Sequence, residues 1–213
     1  MSYKDSIPDS FIRFVPWNEF TKKFIKGEIF FSNIKSFNDP FGAMIPQGPA
    51  SNELLINRIR YVNSVFCCSH PEILEDSNSF ILMLSHYSQN HSGLCIVFHS
   101  DFLDDVDEPY VQGFINYRDS RPNLRDVKPK PSDDVIYENL LLVKAKCWKY
   151  EKEYRYIFKN ETPSVGKHTF DKQGLHRGTL FTKSSKFIKA IYLGCNASDQ
   201  TESEVISFLK QNQ

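Results

Sequence analysis

The chain has 213 residues, 40% of them hydrophobic, with 26 basic and 26 acidic side chains and a formal net charge of zero. That size and apolar content suit one large globular domain with a substantial core and exclude a disordered chain. The charge balance excludes a global basic field of the kind that gathers nucleic acid, and no apolar run approaches the length of a membrane span.

In chain order, residues 1–10 read as a flexible leader and residues 11–213 as a single domain. Phe11–Val15 reads as a strand ended by Pro16, with Arg13 as a charge among apolar neighbours. Asn18 caps a predicted helix over 19–26 that buries Phe20, Phe24 and Ile25, and Gly27 closes it. Glu28–Ser32 is a second strand. The Asn38-Asp39-Pro40 sequence marks a turn, because Asx side chains bond the local backbone and proline fixes φ. A helix is expected over 53–63 and a short strand over 65–69. Residues 79–86 fit a helix or a strand, since the apolar run Phe80–Met83 has no decisive period. Gly93–Phe98 reads as a buried strand, a helical turn follows near 100–105, and Tyr110–Tyr117 is a further strand. Residues 118–132 form a loop, a helix runs from Asp133 to about Lys146, and Cys147–Phe158 is an aromatic-rich strand. Residues 160–178 read as a loop that could cover a substrate, Phe187–Leu193 as a strand, and Ser198 or Thr201 starts a last helix to Lys210. Mixed rather than alternating elements argue for an α+β fold and against a doubly wound sheet.

Two polar stretches carry the chemistry. In Cys147–Phe158, alternation places Glu151 and Glu153 on one strand face with Lys149 and Arg155. The bland account is a solvated face whose cations balance its acids. The functional account is a carboxylate pair that steadies an oxocarbenium-like transition state. In Ser85-His-Tyr-Ser-Gln-Asn-His-Ser-Gly93, His86 offers a base or donor and Tyr87 a face for stacking on a planar ring. The bland account of both is a half-buried residue with a satisfied polar end. No zinc spacing, Gly-x-Ser-x-Gly turn or phosphate-binding glycine loop occurs, and the five cysteines give no disulfide framework, which favours a reduced, cytoplasmic setting without a metal. The basic residues Arg118, Arg121, Arg125, Lys128 and Lys130 are diluted by acids and prolines and read as a solvated loop.

These stretches resemble one bacterial family. Phe11-Ile-Arg-Phe, Ile29-Phe-Phe-Ser, Phe37-Asn-Asp-Pro-Phe41, the Ser85–Gly93 stretch, Trp148-x-Tyr-Glu-x-Glu-Tyr-Arg155 and Ile191-Tyr-Leu-Gly194 are similar to the ordered motifs of domain of unknown function 2971. One departure is Met83-Leu84 where the family often has Met-Trp, which removes a flat aromatic wall. A more distant resemblance is to ADP-ribosyltransferases, which implies a split, mostly antiparallel sheet with peripheral helices and NAD as substrate. It also implies a toxin or anti-phage effector, with an unknown protein or nucleic-acid acceptor and an antitoxin or chaperone partner. By that resemblance Glu153, Glu151 and Tyr87 are catalytic. Arg13, Ser32, Asn38, Asp39, His86 and Arg155 hold NAD. Glu153 meets the nicotinamide ribose, Glu151 orients the acceptor, and Arg13 answers the diphosphate or adenosine ribose. A non-catalytic nucleotide- or protein-binding module is the alternative, and a nucleic-acid-binding protein or nuclease ranks third.

Overall fold

The helices begin where short polar side chains can take up their unpaired amides. Asn18 accepts from Thr21 N at 3.1 Å and opens α1, Glu19–Ile25. Asp76 accepts from Ser79 N at 3.2 Å and opens α2, Ser77–Tyr87. Ser198 accepts from Thr201 N at 3.1 Å and opens α3, Asp199–Gln211. In α3, Asp199 and Glu202 sit in the first turn and Lys210 in the last, which suits the helix dipole. The computed structural model describes residues 7–33, 63–103, 111–120, 141–159, 167–170, 176–182 and 185–212. The expected turn at Asn38-Asp39-Pro40, residues 53–62 of the expected 53–63 helix and most of the 118–132 loop lie outside the described residues.

The architecture is α+β, with strands paired almost entirely antiparallel and few helices. The chain divides into two compact units, residues 1–29, 68–106 and 182–213 forming one and residues 30–67 and 107–181 the other. In the first unit, β4 (Leu94–His99) runs antiparallel between β1 (Ser10–Val15) and β11 (Ile188–Leu193), with Ile96 opposite both Arg13 and Ile191. Every residue from Leu94 to Phe98 is buried, so the sequence there is continuously apolar rather than alternating. Phe24 meets Phe98 and Phe187 edge to face, with ring centroids 5.7 and 5.3 Å apart.

In the second unit, β3 (Asn63–Ser69) pairs with β2 (Glu28–Asn33) and with β8 (Glu153–Lys159). β8 pairs on with β5 (Val111–Phe114), which sets Gly113 opposite Arg155. Strands β6 (Asn116–Arg118) and β7 (Val143–Ala145) form a short parallel pair, and β9 (Lys167–Phe170) pairs with β10 (His176–Thr182). Phe31 packs on Phe66 and Phe158 with centroids 5.4 and 4.9 Å apart.

Several expectations are corrected. Residues 77–87 are helix, because Asp76 supplies the cap that the apolar run itself does not announce. Phe20 is 70% exposed, and Thr21 takes its place on the buried side of α1 beside the expected Phe24 and Ile25. The strand expected over 110–117 breaks at Ile115, whose N–H turns to Glu153 O at 2.9 Å. Residues 143–145 are strand where a helix was expected, held by pairing with 116–118. Lys146–Glu151 form a 3-10 helix rather than strand, and Lys152, left-handed at φ 45°, turns the chain into β8. Part of the expected 160–178 loop is strand, since Lys167–Phe170 and His176–Thr182 satisfy each other's backbone.

The Ser85–Gly93 stretch is the end of α2 and a left-handed turn. Gln89, Asn90 and His91 stand at φ 53°, 53° and 67°, a conformation that disfavours side chains with a Cβ. Hydrogen bonds over-determine it: His91 N donates to Leu84 O at 3.2 Å, Gly93 N to Ser88 O at 2.8 Å, and Asn196 N to His91 O at 2.9 Å. Gly194 lies so close that a Cβ there would be 2.1 Å from His91 O and 2.6 Å from His91 C. Backbone atoms cannot give way as a side-chain tip can. Gly194→Ala therefore costs about 2 kcal/mol or more in chemical denaturation. Gly113→Ala, whose Cβ meets only the Leu142 side-chain tip at 3.1 Å, costs much less. Equal losses at the two sites would show that the left-handed turn is not tightly clasped.

Candidate functional site: a buried carboxylate pair on a shared ammonium

Four charged side chains of the second unit are buried together. Lys144, Glu151, Glu153 and Arg155 are 8%, 3%, 5% and 2% exposed. Such residues are rarely buried unless paired, and here two cations face two anions. Lys144 Nζ lies 2.5 Å from Glu151 Oε2 and 3.1 Å from Glu153 Oε2. Arg155 donates from Nε to Glu153 Oε1 at 2.6 Å and from Nη2 to Oε2 at 3.2 Å, the fork geometry that suits a carboxylate. Its Nη1 donates to Leu141 O at 2.7 Å.

The backbone sets this up. β7 brings Lys144 in, the 3-10 turn carries Glu151, and left-handed Lys152 reverses the chain so that β8 starts on Glu153. Glu151 and Glu153 thus meet through Lys144, not through strand alternation. The solvated-face account fails, because the acids are buried and Lys149 is exposed. Tyr117 Oη accepts from Glu153 N at 2.8 Å and fixes the first residue of β8. The Lys144 ammonium also lies 4.9 Å from the Trp148 ring centroid, a cation–π contact.

Burial alone would push the Glu153 carboxyl up, but the attraction of Arg155 and Lys144 and its hydrogen bonds from Arg155 and Cys67 bring it down to about 2. Burial pulls Lys144 down, and Glu153 and Glu151 more than offset that, so its ammonium is held above the ordinary value. Burial, reinforced by the charge on Glu153, raises the Cys67 thiol. Burial likewise raises the Tyr117 phenol. Both glutamates sit among cations, and Glu153 stays ionised at any physiological pH.

The remaining sequence candidates lie as follows. Arg13 is half-buried in the first unit, its guanidinium 5.5 Å from the Phe24 ring centroid. His86 is exposed and Tyr87 half-buried at the end of α2, their rings tilted with centroids 6.4 Å apart. Ser32 lies in β2 within the second unit, half-buried. Asn38 and Asp39 lie outside the described residues. Of the named residues, then, the structure brings Glu151, Glu153 and Arg155 into direct association. Sequence reasoning missed Lys144 and Tyr117. The signal for Lys144 was its place directly after the apolar run Leu140–Val143; for Tyr117 there was none. Among the described residues no group of three or more His, Cys, Asp or Glu side chains is placed to hold a metal. No described helix is long and apolar enough to cross a membrane.

Fold and site together define an α+β protein with a mostly antiparallel open sheet and a buried, charge-balanced carboxylate pair. Residues 83–156, from the second half of α2 into β8, match the family described as Protein of unknown function (DUF2971). No curated protein and no solved structure matches the chain.

Removing one partner of a buried pair strands the other charge. Arg155→Met therefore costs about 3–5 kcal/mol in urea unfolding, while Lys149→Met at the exposed site changes stability by less than about 0.5 kcal/mol. The folded Glu153 carboxyl titrates below its unfolded counterpart. Its stabilisation is therefore complete above the ordinary glutamate range and is lost as pH falls towards about 2. The stability gap between the natural chain and Glu153→Gln is expected to be constant from pH 8 to about 6 and to shrink as pH falls below about 4.5. A gap independent of pH down to 2 would show that Glu153 is not held ionised by its neighbours.

Proposed function

We propose that the chain is an NAD-dependent ADP-ribosyltransferase or NAD glycohydrolase with an ADP-ribosyltransferase-like fold. The observation that carries the reading is that two carboxylates share one ammonium in a buried, charge-balanced site. Cleavage breaks the bond between nicotinamide nitrogen and ribose C1′. The electron pair leaves with nicotinamide, which departs neutral, and positive charge develops on the sugar. A carboxylate fixed where water is sparse stabilises that charge far more than one in bulk solvent. Glu153, locked by Arg155, is the ribose-facing acid in this reading. Glu151 orients the acceptor, whose oxygen or nitrogen bonds to C1′ and loses a proton. With water as acceptor the products are ADP-ribose, nicotinamide and a proton. The reading rests on the resemblance of these residues to the transferase order together with the buried pair. It places the activity in the cytoplasm, as a toxin or anti-phage effector kept in check by an antitoxin or chaperone.

A second reading has its own observation. Both Glu153 oxygens are engaged by Arg155 and Lys144, and the acids are 5% and 3% exposed. A cluster complete in itself suits a structural role within a non-catalytic nucleotide- or protein-binding module.

Chromatographic detection of nicotinamide released from NAD, with protein and nucleic-acid acceptors offered, separates the two. The transferase reading expects release that falls by about 100-fold or more in Glu153→Gln or Glu151→Gln. Thermal stabilisation by NAD without release selects the binding module. Release that is unchanged in both variants rules out the pair as its source.

A further inference from the structure

The buried pair has one feature that neither glutamate explains: a single ammonium is bonded to both. Lys144 Nζ is 2.5 Å from Glu151 and 3.1 Å from Glu153, while Arg155 is bonded to Glu153 through two nitrogens. Among the described residues, the groups that face the pair come from five elements. They are the Cys67 thiol of β3, the Tyr117 phenol of β6, Lys144 of β7, Tyr150 of the 3-10 turn and Arg155 of β8. Cys67, Tyr117 and Tyr150 are raised, chiefly by burial, and bring no positive charge. Lys144 and Arg155 are the cations of the set, and Arg155 is committed to Glu153. Two carboxylates in a site of low dielectric with only the Arg155 guanidinium, held on Glu153, beside them would not both stay ionised.

We infer that Lys144 is the positioning residue of the pair: it sets the approach of the two carboxylates and keeps both charged, and without it the pair retains one proton, carried on Glu151. The ionisation claim stands on the geometry alone. Its relevance to catalysis rests on the glycosyl-transfer reading, where a protonated pair would have lost half of the charge that faces the sugar. The Trp148 ring beside the ammonium, 4.9 Å away, adds an aromatic wall to its seat. An arginine at 144 would keep the charge, whereas methionine keeps only the apolar stem.

The test is carboxyl carbon NMR of the full chain labelled at glutamate, from pH 4 to 9, with the two signals assigned through Glu151→Gln and Glu153→Gln. In the natural chain both signals are expected at the ionised position down to pH 5. In Lys144→Met one signal titrates with a midpoint raised by about one unit or more. Lys144→Arg restores the natural profile, and Lys144→Met combined with Glu151→Gln removes the raised titration. Both signals staying ionised across neutral pH in folded Lys144→Met overturns the inference. Should that variant not fold, the natural chain still decides: a signal of the pair titrating above about pH 6 overturns it. Nicotinamide release reads the other claim. Its absence from the natural chain sinks the transferase reading and leaves the titration result intact. Where release occurs, that of Lys144→Met falls about tenfold per pH unit below the raised midpoint, since only the ionised pair acts.

Discussion

The second unit is organised by the requirement that two like charges be neutralised away from water. Glu151 and Glu153 are buried to within a few per cent, and two bare carboxylates in that setting would be prohibitive. The solution draws on residues far apart in sequence. Lys144 arrives on a two-strand parallel ribbon, and Arg155 reaches back along its own strand to Glu153. Tyr117 Oη takes the Glu153 amide, and Leu141 O takes part of the guanidinium. Each of these placements depends on the others, so the short elements between 111 and 159 form one polar assembly.

That assembly links fold to chemistry. A charge-neutral cluster tolerates burial, yet it holds two acids side by side, and Glu153 is drawn down to about 2. Paired anions kept from water are the element that cleavage of a ribosyl bond needs. The same completeness also suits a purely structural cluster. What separates the two roles is whether a sugar reaches the acids, and that is a question of access rather than of charge.

How much was legible in the sequence depended on whether the signal was local. The Asn18 cap and the continuous apolar run of β4 were read correctly, because a cap and a fully buried strand are written in adjacent residues. Residues 143–145 were misread as helix, since nothing in them announces the pairing with 116–118 that holds them as strand. The Glu-Lys-Glu turn was misread as strand, because nothing marks Lys152 for a left-handed backbone in the way a glycine would. The acids were nonetheless singled out, with the right cation in Arg155 and the wrong one in Lys149. Pairing with Lys144 depends on where β7 lies against β6, and that is tertiary information.

The left-handed turn after α2 shows the same limit from the other side. Its run of Ser, Gln, Asn and His looked like a loop prepared for a ligand. Much of that polarity instead secures the turn itself, with Ser88 Oγ on Leu94 O at 2.8 Å and Ser92 Oγ on Gln89 O at 2.7 Å. His86 and Tyr87 stand at the helix end before the turn.

The most direct measurement is a crystal structure of the chain soaked with an NAD analogue whose nicotinamide bond cannot break. The account predicts the nicotinamide ribose C1′ within about 3–4 Å of a carboxylate oxygen of Glu151 or Glu153. An analogue bound elsewhere, with the four-charge cluster closed and unchanged, would contradict it.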